Sequence, residues 1–109
     1  MKRGEIWTAA GGADYAGKPR PVVIVQDDKF SATRSVTICA FTSAKVGEEI
    51  ARLSVAPSPA NGLQEPSRLM VDKITTIPRA KLGRRIGELA AEDMTKLDGA
   101  IIVFLGLAR

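Results

Sequence analysis

Arg20 stands between Pro19 and Pro21, where a glycine-rich stretch gives way to the β-branched run Val22-Val23-Ile24-Val25. A guanidinium held on so stiff a backbone can grip a phosphate with its planar fork of donors. The same placement also suits an arginine that pairs with an acid at a strand end. Thr42 and Ser43 close the next apolar run. Their hydroxyls can donate to a phosphate oxygen, or they can satisfy the backbone of a turn. Asp72 interrupts an apolar run just before Lys73. It faces solvent or serves as partner to a cation.

Other chemistries fall away on composition. The 109 residues include no histidine and one cysteine, Cys39. That removes His-ligated zinc and the Ser-His-Asp triad, and a lone thiol forms no internal disulfide. No glycine motif that cradles phosphate precedes a helix, so neither a metal nor an organic cofactor is expected. Nothing approaches the run of about 20 apolar residues that spans a membrane, and the charged N-terminus lacks the apolar core of a signal peptide. A single domain over residues 1–109, cytoplasmic and away from membranes, is the expectation.

The net charge of +4 leans toward anionic partners. Six cations, Arg68, Lys73, Arg79, Lys81, Arg84 and Arg85, are opposed over their span only by Asp72. Such a run is either a solvated face or part of a binding groove. Aromatic residues make up 5% of the chain, so an anionic polymer would be held chiefly through its phosphates, with strong salt dependence. Trp7 and Phe41 read as core. Tyr15 is the one plausible exposed stacker.

The elements that must position these residues are mostly short strands. Glu5–Thr8 and Val22–Gln26 read as strands, separated by a small-residue loop, Ala9–Lys18. Val36–Thr42 alternates poorly, which suits burial on both faces. A loop from Ser43 to Glu49 leads to the strand Arg52–Val55, and Pro57–Gly62 is a turn. Arg68–Thr76 reads as one strand, Arg79–Leu82 as a helical turn after Pro78, and Arg85–Leu89 as a last strand. Glu92–Leu107 reads as the long helix. Its apolar stripe is Met94, Leu97, Ile101, Phe104 and Leu105, and Glu92 and Asp93 complement the dipole of its first turn. The fold class is mainly β (α+β), a barrel or strongly twisted sheet with a C-terminal helix.

Arg3-Gly4-Glu5-Ile6-Trp7, followed by Gly17-Lys18-Pro19-Arg20-Pro21-Val22-Val23-Ile24-Val25, resembles the MazF/PemK (Kid) family of toxin endoribonucleases. Phe41-Thr42-Ser43 falls where that family carries its Thr or Thr-Ser pair. Gly62-Leu63, Ser67 and Asp72-Lys73-Ile74-Thr75-Thr76-Ile77 resemble its later strand. The resemblance runs in order over nearly the whole chain. It implies an SH3-like twisted barrel of the CcdB/PemK type, a symmetric homodimer, and metal-independent cleavage of single-stranded RNA at a short sequence. It also implies a cognate antitoxin with an acidic, partly disordered tail.

Carried over residue by residue, the resemblance makes Arg20 and Thr42 catalytic and Asp72 the general base, with Ser43 contacting substrate. Tyr15, Lys18 and Lys45 join Ser43 as RNA-binding residues on their own chemistry, the lysines as charge for the backbone and Tyr15 as a stacker. The chain departs from the pattern in that the family's loop glutamate falls on Tyr15. Asp14 stands where one branch has a histidine, and Met70 where that branch has a second arginine. Two other readings compete. A gyrase poison of the CcdB type shares the barrel but acts through a C-terminal Trp-Gly-Ile, whereas this helix ends Phe104-Leu105-Gly106-Leu107-Ala108-Arg109 and the only tryptophan is Trp7. An inactive SH3-like binding module is the third reading.

Overall fold

The computed structural model describes residues 1–10, 18–43 and 51–108. Its strands are β1 (Glu5–Ala9), β2 (Arg20–Ile24), β3 (Ser35–Thr42), β4 (Arg52–Val55), β5 (Ser67–Met70), β6 (Thr75–Pro78) and β7 (Leu82–Glu88). One helix, α1 (Ala91–Phe104), follows. The strands form an antiparallel sheet in the order β4-β5-β3-β2-β1-β7, with β6 paired to β3 off this path. This is the mainly β class with a C-terminal helix that the strand and helix patterns imply.

The centre of the sheet is buried on both faces. Along β3, Ile38, Cys39, Ala40 and Phe41 are all buried in succession. Alternate side chains enter two cores. Val23, Cys39 and Phe41 join Ile6, Leu69, Val71 and Leu97 in one, which α1 covers. Val22, Ile24, Ile38 and Ala40 join Val36 and Met70 in the other. A strand with two apolar environments needs no polar alternation, which accounts for the continuous Val22–Val25 run.

The segment read as a single strand over Arg68–Thr76 is broken. Its first part pairs with β4 and with the end of β3, as Phe41 opposes Leu69. A 3-10 turn, Val71–Lys73, then carries the chain across, and β6 pairs with the start of β3, Val36 against Ile77. Asp72 therefore lies on a turn, not within a strand. The helix ends at Phe104, three residues before the expected Leu107. Of its apolar stripe only Leu97 is fully buried, Met94 and Ile101 are partly covered, and Phe104 and Leu105 are exposed.

The opening motif is structural. The backbone N–H of Arg3 donates to Asp28 at 2.7 Å, its Nε to the Val25 carbonyl at 2.8 Å, and its Nη2 to Asp98 on α1 at 2.6 Å. One side chain thus ties the N-terminus to the end of β2 and to the helix. Glu5 accepts from Trp7 Nε1 at 3.0 Å and pairs with Arg85 at 3.2 Å. Burial pushes the Glu5 carboxyl up, but bonds from the Lys2 backbone and Trp7 and the charge of Arg85 outweigh it, and the net shift is downward. Its stabilising contribution is present above the ordinary carboxylate pKa and is lost as the pH falls through that range.

A second clamp closes the turn before β5. Asn61 is buried, and its Oδ1 accepts from the backbone N–H of Ser58 at 2.9 Å and of Leu63 at 3.0 Å, while its Nδ2 donates to the Ala56 carbonyl at 2.9 Å. The closed turn rests on β7. A Cβ on Gly87 would stand 2.4 Å from the Ala60 carbonyl, and one on Gly62, at φ +70°, would stand 2.2 Å from the Ile86 carbonyl. Only glycine allows backbones this close. Asn61→Ala removes the three bonds made by the Asn61 side chain and orphans their partners, so it is expected to cost about 1–3 kcal/mol. Urea unfolding checks this, with a lowered midpoint and an unchanged slope as the expected result.

Candidate active site

The β2–β3 register sets Val22 against Ala40, Val23 against Cys39 and Ile24 against Ile38. Carried on by two residues, the same register sets Arg20 across from Thr42. Arg20 also opposes Ala9 of β1, and Thr42 opposes Arg68 of β5. The ends of four strands thus meet at one edge of the sheet. There they open a cleft of about 240 Å³ whose lining includes Arg20, Thr42, Ser43, Glu65, Ser67 and Arg84. Pro19, Pro21, Phe41, Leu63 and Ile86 supply apolar surface in the same cleft.

Each element has a reason to present its residue there. Pro19 and Pro21 stiffen the chain on both sides of Arg20, whose Nε is buried in the cleft wall. Thr42 is half-buried and Ser43 exposed, at the point where β3 leaves the two cores. Thr8 accepts from the Arg84 backbone N–H at 3.1 Å through its Oγ1, which holds β7 against β1 beside the cleft. Ser67 donates from Oγ to the Glu65 carbonyl at 3.0 Å and fixes the opposite wall. A second depression of about 280 Å³ continues past Thr42, Ser43 and Ser67 to Ser54 and Arg68. The two form one groove with cations along it.

The structure unites Arg20, Thr42 and Ser43. Lys18 is exposed, one residue from the cleft-lining Pro19. Tyr15 and Lys45 lie outside the described residues, as does Asp14. Asp72 does not line the cleft, and its carboxylate accepts from Arg52 across the start of β4. The basic run divides. Arg84 and Arg68 line the groove, Arg79 is spent on the backbone carbonyls of Ser31 and Thr33, and Arg85 pairs with Glu5 and Glu88. Glu65 and Gln64 are cleft residues that no motif marks, because the turn before them reads only as a turn. Among the described residues no three His, Cys, Asp or Glu side chains gather to hold a metal ion.

Residues 2–105 match the family described as the PemK-like, MazF-like toxin of type II toxin-antitoxin systems. The chain belongs to that family. It is 51% identical over 108 residues to a probable endoribonuclease MazF from Mycolicibacterium smegmatis, covering 99% of each chain. Among solved structures it is similar to the Mycobacterium tuberculosis toxin MazF-mt6, with TM-score 0.79, 31% identity, and 96% and 99% of the two chains covered. A mycobacterial endoribonuclease solved in complex with its cognate antitoxin shares the fold, with TM-score 0.81 at 23% identity over 100% and 98% of the chains. Neither the gyrase-poison reading nor the inert-module reading finds support in these relatives.

Within this MazF-like chain one reactive group is set aside by its environment. Cys39 is fully buried between β2 and β5. Burial, reinforced by the nearby Asp72 charge, pushes its thiol up to about 12. The thiol is therefore neutral and inert at working pH, and it is no nucleophile. Because its pKa is raised on folding, the related stability is complete below the ordinary thiol pKa and is lost as pH rises toward 12. Labelling by a disulfide reagent at pH 8 is expected to run about 10³-fold slower on the native chain than in denaturant, as only unfolded molecules react. Reagent kinetics with and without urea check this.

Proposed function

We propose that the chain is an endoribonuclease toxin that cuts single-stranded RNA in the Arg20–Thr42 cleft. The observation that carries this reading is the β2–β3 register, which brings the guanidinium and the hydroxyl to one site. RNA carries its own nucleophile. The 2′-oxygen attacks the adjacent phosphorus, the P–O5′ bond breaks, and the products are a 2′,3′-cyclic phosphate and a 5′-hydroxyl. The attacking hydroxyl must lose a proton, the phosphorane must be stabilised, and the leaving oxygen must gain a proton.

Arg20 stabilises the phosphorane charge, a role commonly worth a few kcal/mol per well-placed donor. A guanidinium is a poor base, and the departing alkoxide, the stronger base of the two, takes its proton from Arg20. Thr42 holds the phosphate in line and Ser43 contacts the neighbouring backbone. The resemblance assigns the base to Asp72. The Arg52 ion pair holds that carboxylate outside the cleft of its own chain, so the assignment rests on the resemblance alone. Lys18, Arg84 and Arg68 extend the positive surface along the strand, with Lys45 assigned to RNA by its charge and Tyr15 by its aromatic ring.

The reading also includes a homodimer acting in the cytoplasm and an antitoxin whose acidic tail lies over the cationic groove. No helix among the described residues is long and apolar enough to cross a membrane. At the end of α1 the side chains of Ile102, Val103, Phe104, Leu105 and Leu107 are exposed, Val103 at 67% and Leu107 at 74%. A patch of this kind marks an interaction surface, and the second copy is its proposed occupant. Val103→Asp is expected to shift the chain from dimer toward monomer in sedimentation, and an unchanged dimer would move the interface elsewhere.

Cleavage of a long single-stranded RNA in EDTA, with end-group analysis, tests the activity. Wild type is expected to give discrete fragments with 5′-hydroxyl ends. Arg20→Ala and Thr42→Ala are expected to lose cutting while keeping their melting temperatures. Asp72→Asn is expected to lose less than Arg20→Ala, since general-base work contributes about 10²–10⁴-fold. Clean wild-type dimer that cuts no RNA would overturn the reading.

A further inference from the structure

We infer that Glu65 reads the base of the nucleotide held in the cleft, accepting from an amino-bearing Watson–Crick edge and rejecting uracil. The inference rests on the reading of the cleft as the RNA site. A carboxylate in an RNA-binding cleft is repelled by phosphate, so its use there is either to accept a proton or to contact another part of the nucleotide. Glu65 lines the same cleft as Arg20 and Arg84. A nucleotide resolves the conflict because its two ends differ. Its phosphate is anionic, and its base edge carries neutral donors and acceptors. With the phosphate on Arg20 and Thr42, the carboxylate is left to the base.

The wall that carries Glu65 is built rigidly. Leu63, two residues before it, is buried in the core and is held by the Asn61 clamp. Pro66 follows it, and the Ser67 hydroxyl binds its carbonyl. A side chain on a backbone fixed from both sides can discriminate between ligands. Leu63, Ile86 and Pro21 give the cleft apolar surface against which the flat face of a base can lie. A volume of about 240 Å³ suits a base rather than a run of nucleotides.

The chemistry of the edge then sets the preference. An ionised carboxylate only accepts. Cytosine offers N4–H₂, adenine N6–H₂, and guanine N1–H together with N2–H₂, and single-stranded RNA leaves these edges free to be read. Uracil presents one N–H flanked by two carbonyl oxygens that repel a carboxylate. At one position near the cut, wild type should therefore select against uracil.

The test is cleavage of a single-stranded RNA pool of randomised sequence by the 109-residue chain, with all 5′-hydroxyl ends sequenced. Wild type, Glu65→Gln and Glu65→Ala are compared, and melting curves verify folding. Wild type is expected to disfavour uracil at one position by roughly 10-fold or more. Glu65→Gln, whose amide both donates and accepts, is expected to admit uracil there and leave other positions unchanged. Glu65→Ala is expected to flatten the preference. A uniform fall in rate with the base profile intact would overturn the inference and make Glu65 a proton-transfer group. An unchanged rate and profile would overturn it too and leave Glu65 a solvated residue. Those outcomes remove this inference alone, whereas absence of cutting by wild type would remove the endoribonuclease reading beneath it.

Discussion

The burial of β2 and β3 on both faces constrains everything else in this fold. With apolar environments on each side, a slip of one residue between the two strands would send every side chain into the wrong core. The register is therefore held by the whole interior rather than by any local bond. Arg20 begins one strand of this pair and Thr42 ends the other, just beyond the last fully buried residues. The guanidinium and the hydroxyl are aligned because the core behind them admits one alignment. Precision at the cleft thus follows from the packing of the strands behind it.

The remaining devices protect that edge. Arg3 ties the N-terminus to the end of β2 and to α1, and the helix seals one core through Leu97. Asn61 and the two glycines press the turn before β5 onto β7 and so fix the far wall of the cleft. A division of labour results. The opening Arg3-Gly4-Glu5-Ile6-Trp7, which carries much of the family resemblance, builds the scaffold. The residues that face the cleft are scattered over β1, β2, β3, β7, the start of β5 and the segment before it. Kinship and chemistry coincide at Arg20 and at Thr42-Ser43, whereas the opening motif serves the scaffold alone.

This division sets what could be read from the chain. Strands whose signal is their own composition were legible. Arg52–Val55 matches β4 at both ends, and Val36–Thr42 misses only the first residue of β3. The break in Arg68–Thr76 was not legible, because it arises from β3, whose two ends must be covered by different neighbours. The turn at Val71–Lys73 is where the chain changes from one end to the other, and no local pattern records a change of partner. Arg20 and Thr42 were visible as a stiff strand start and a strand end. Glu65 was not, since its place depends on a buried asparagine and on close contact with β7. The basic run looked uniform in sequence, but packing divides it into groove, tether and ion pair.

The central claim is that the scissile phosphate lies between the β2 and β3 edges. A crystal structure with an RNA made uncleavable by a 2′-deoxy substitution at the cut tests this most directly. The expected result is the phosphate within hydrogen-bond distance of the Arg20 guanidinium and the Thr42 hydroxyl. A phosphate bound elsewhere, such as on Arg52 after displacement of Asp72, would contradict the account.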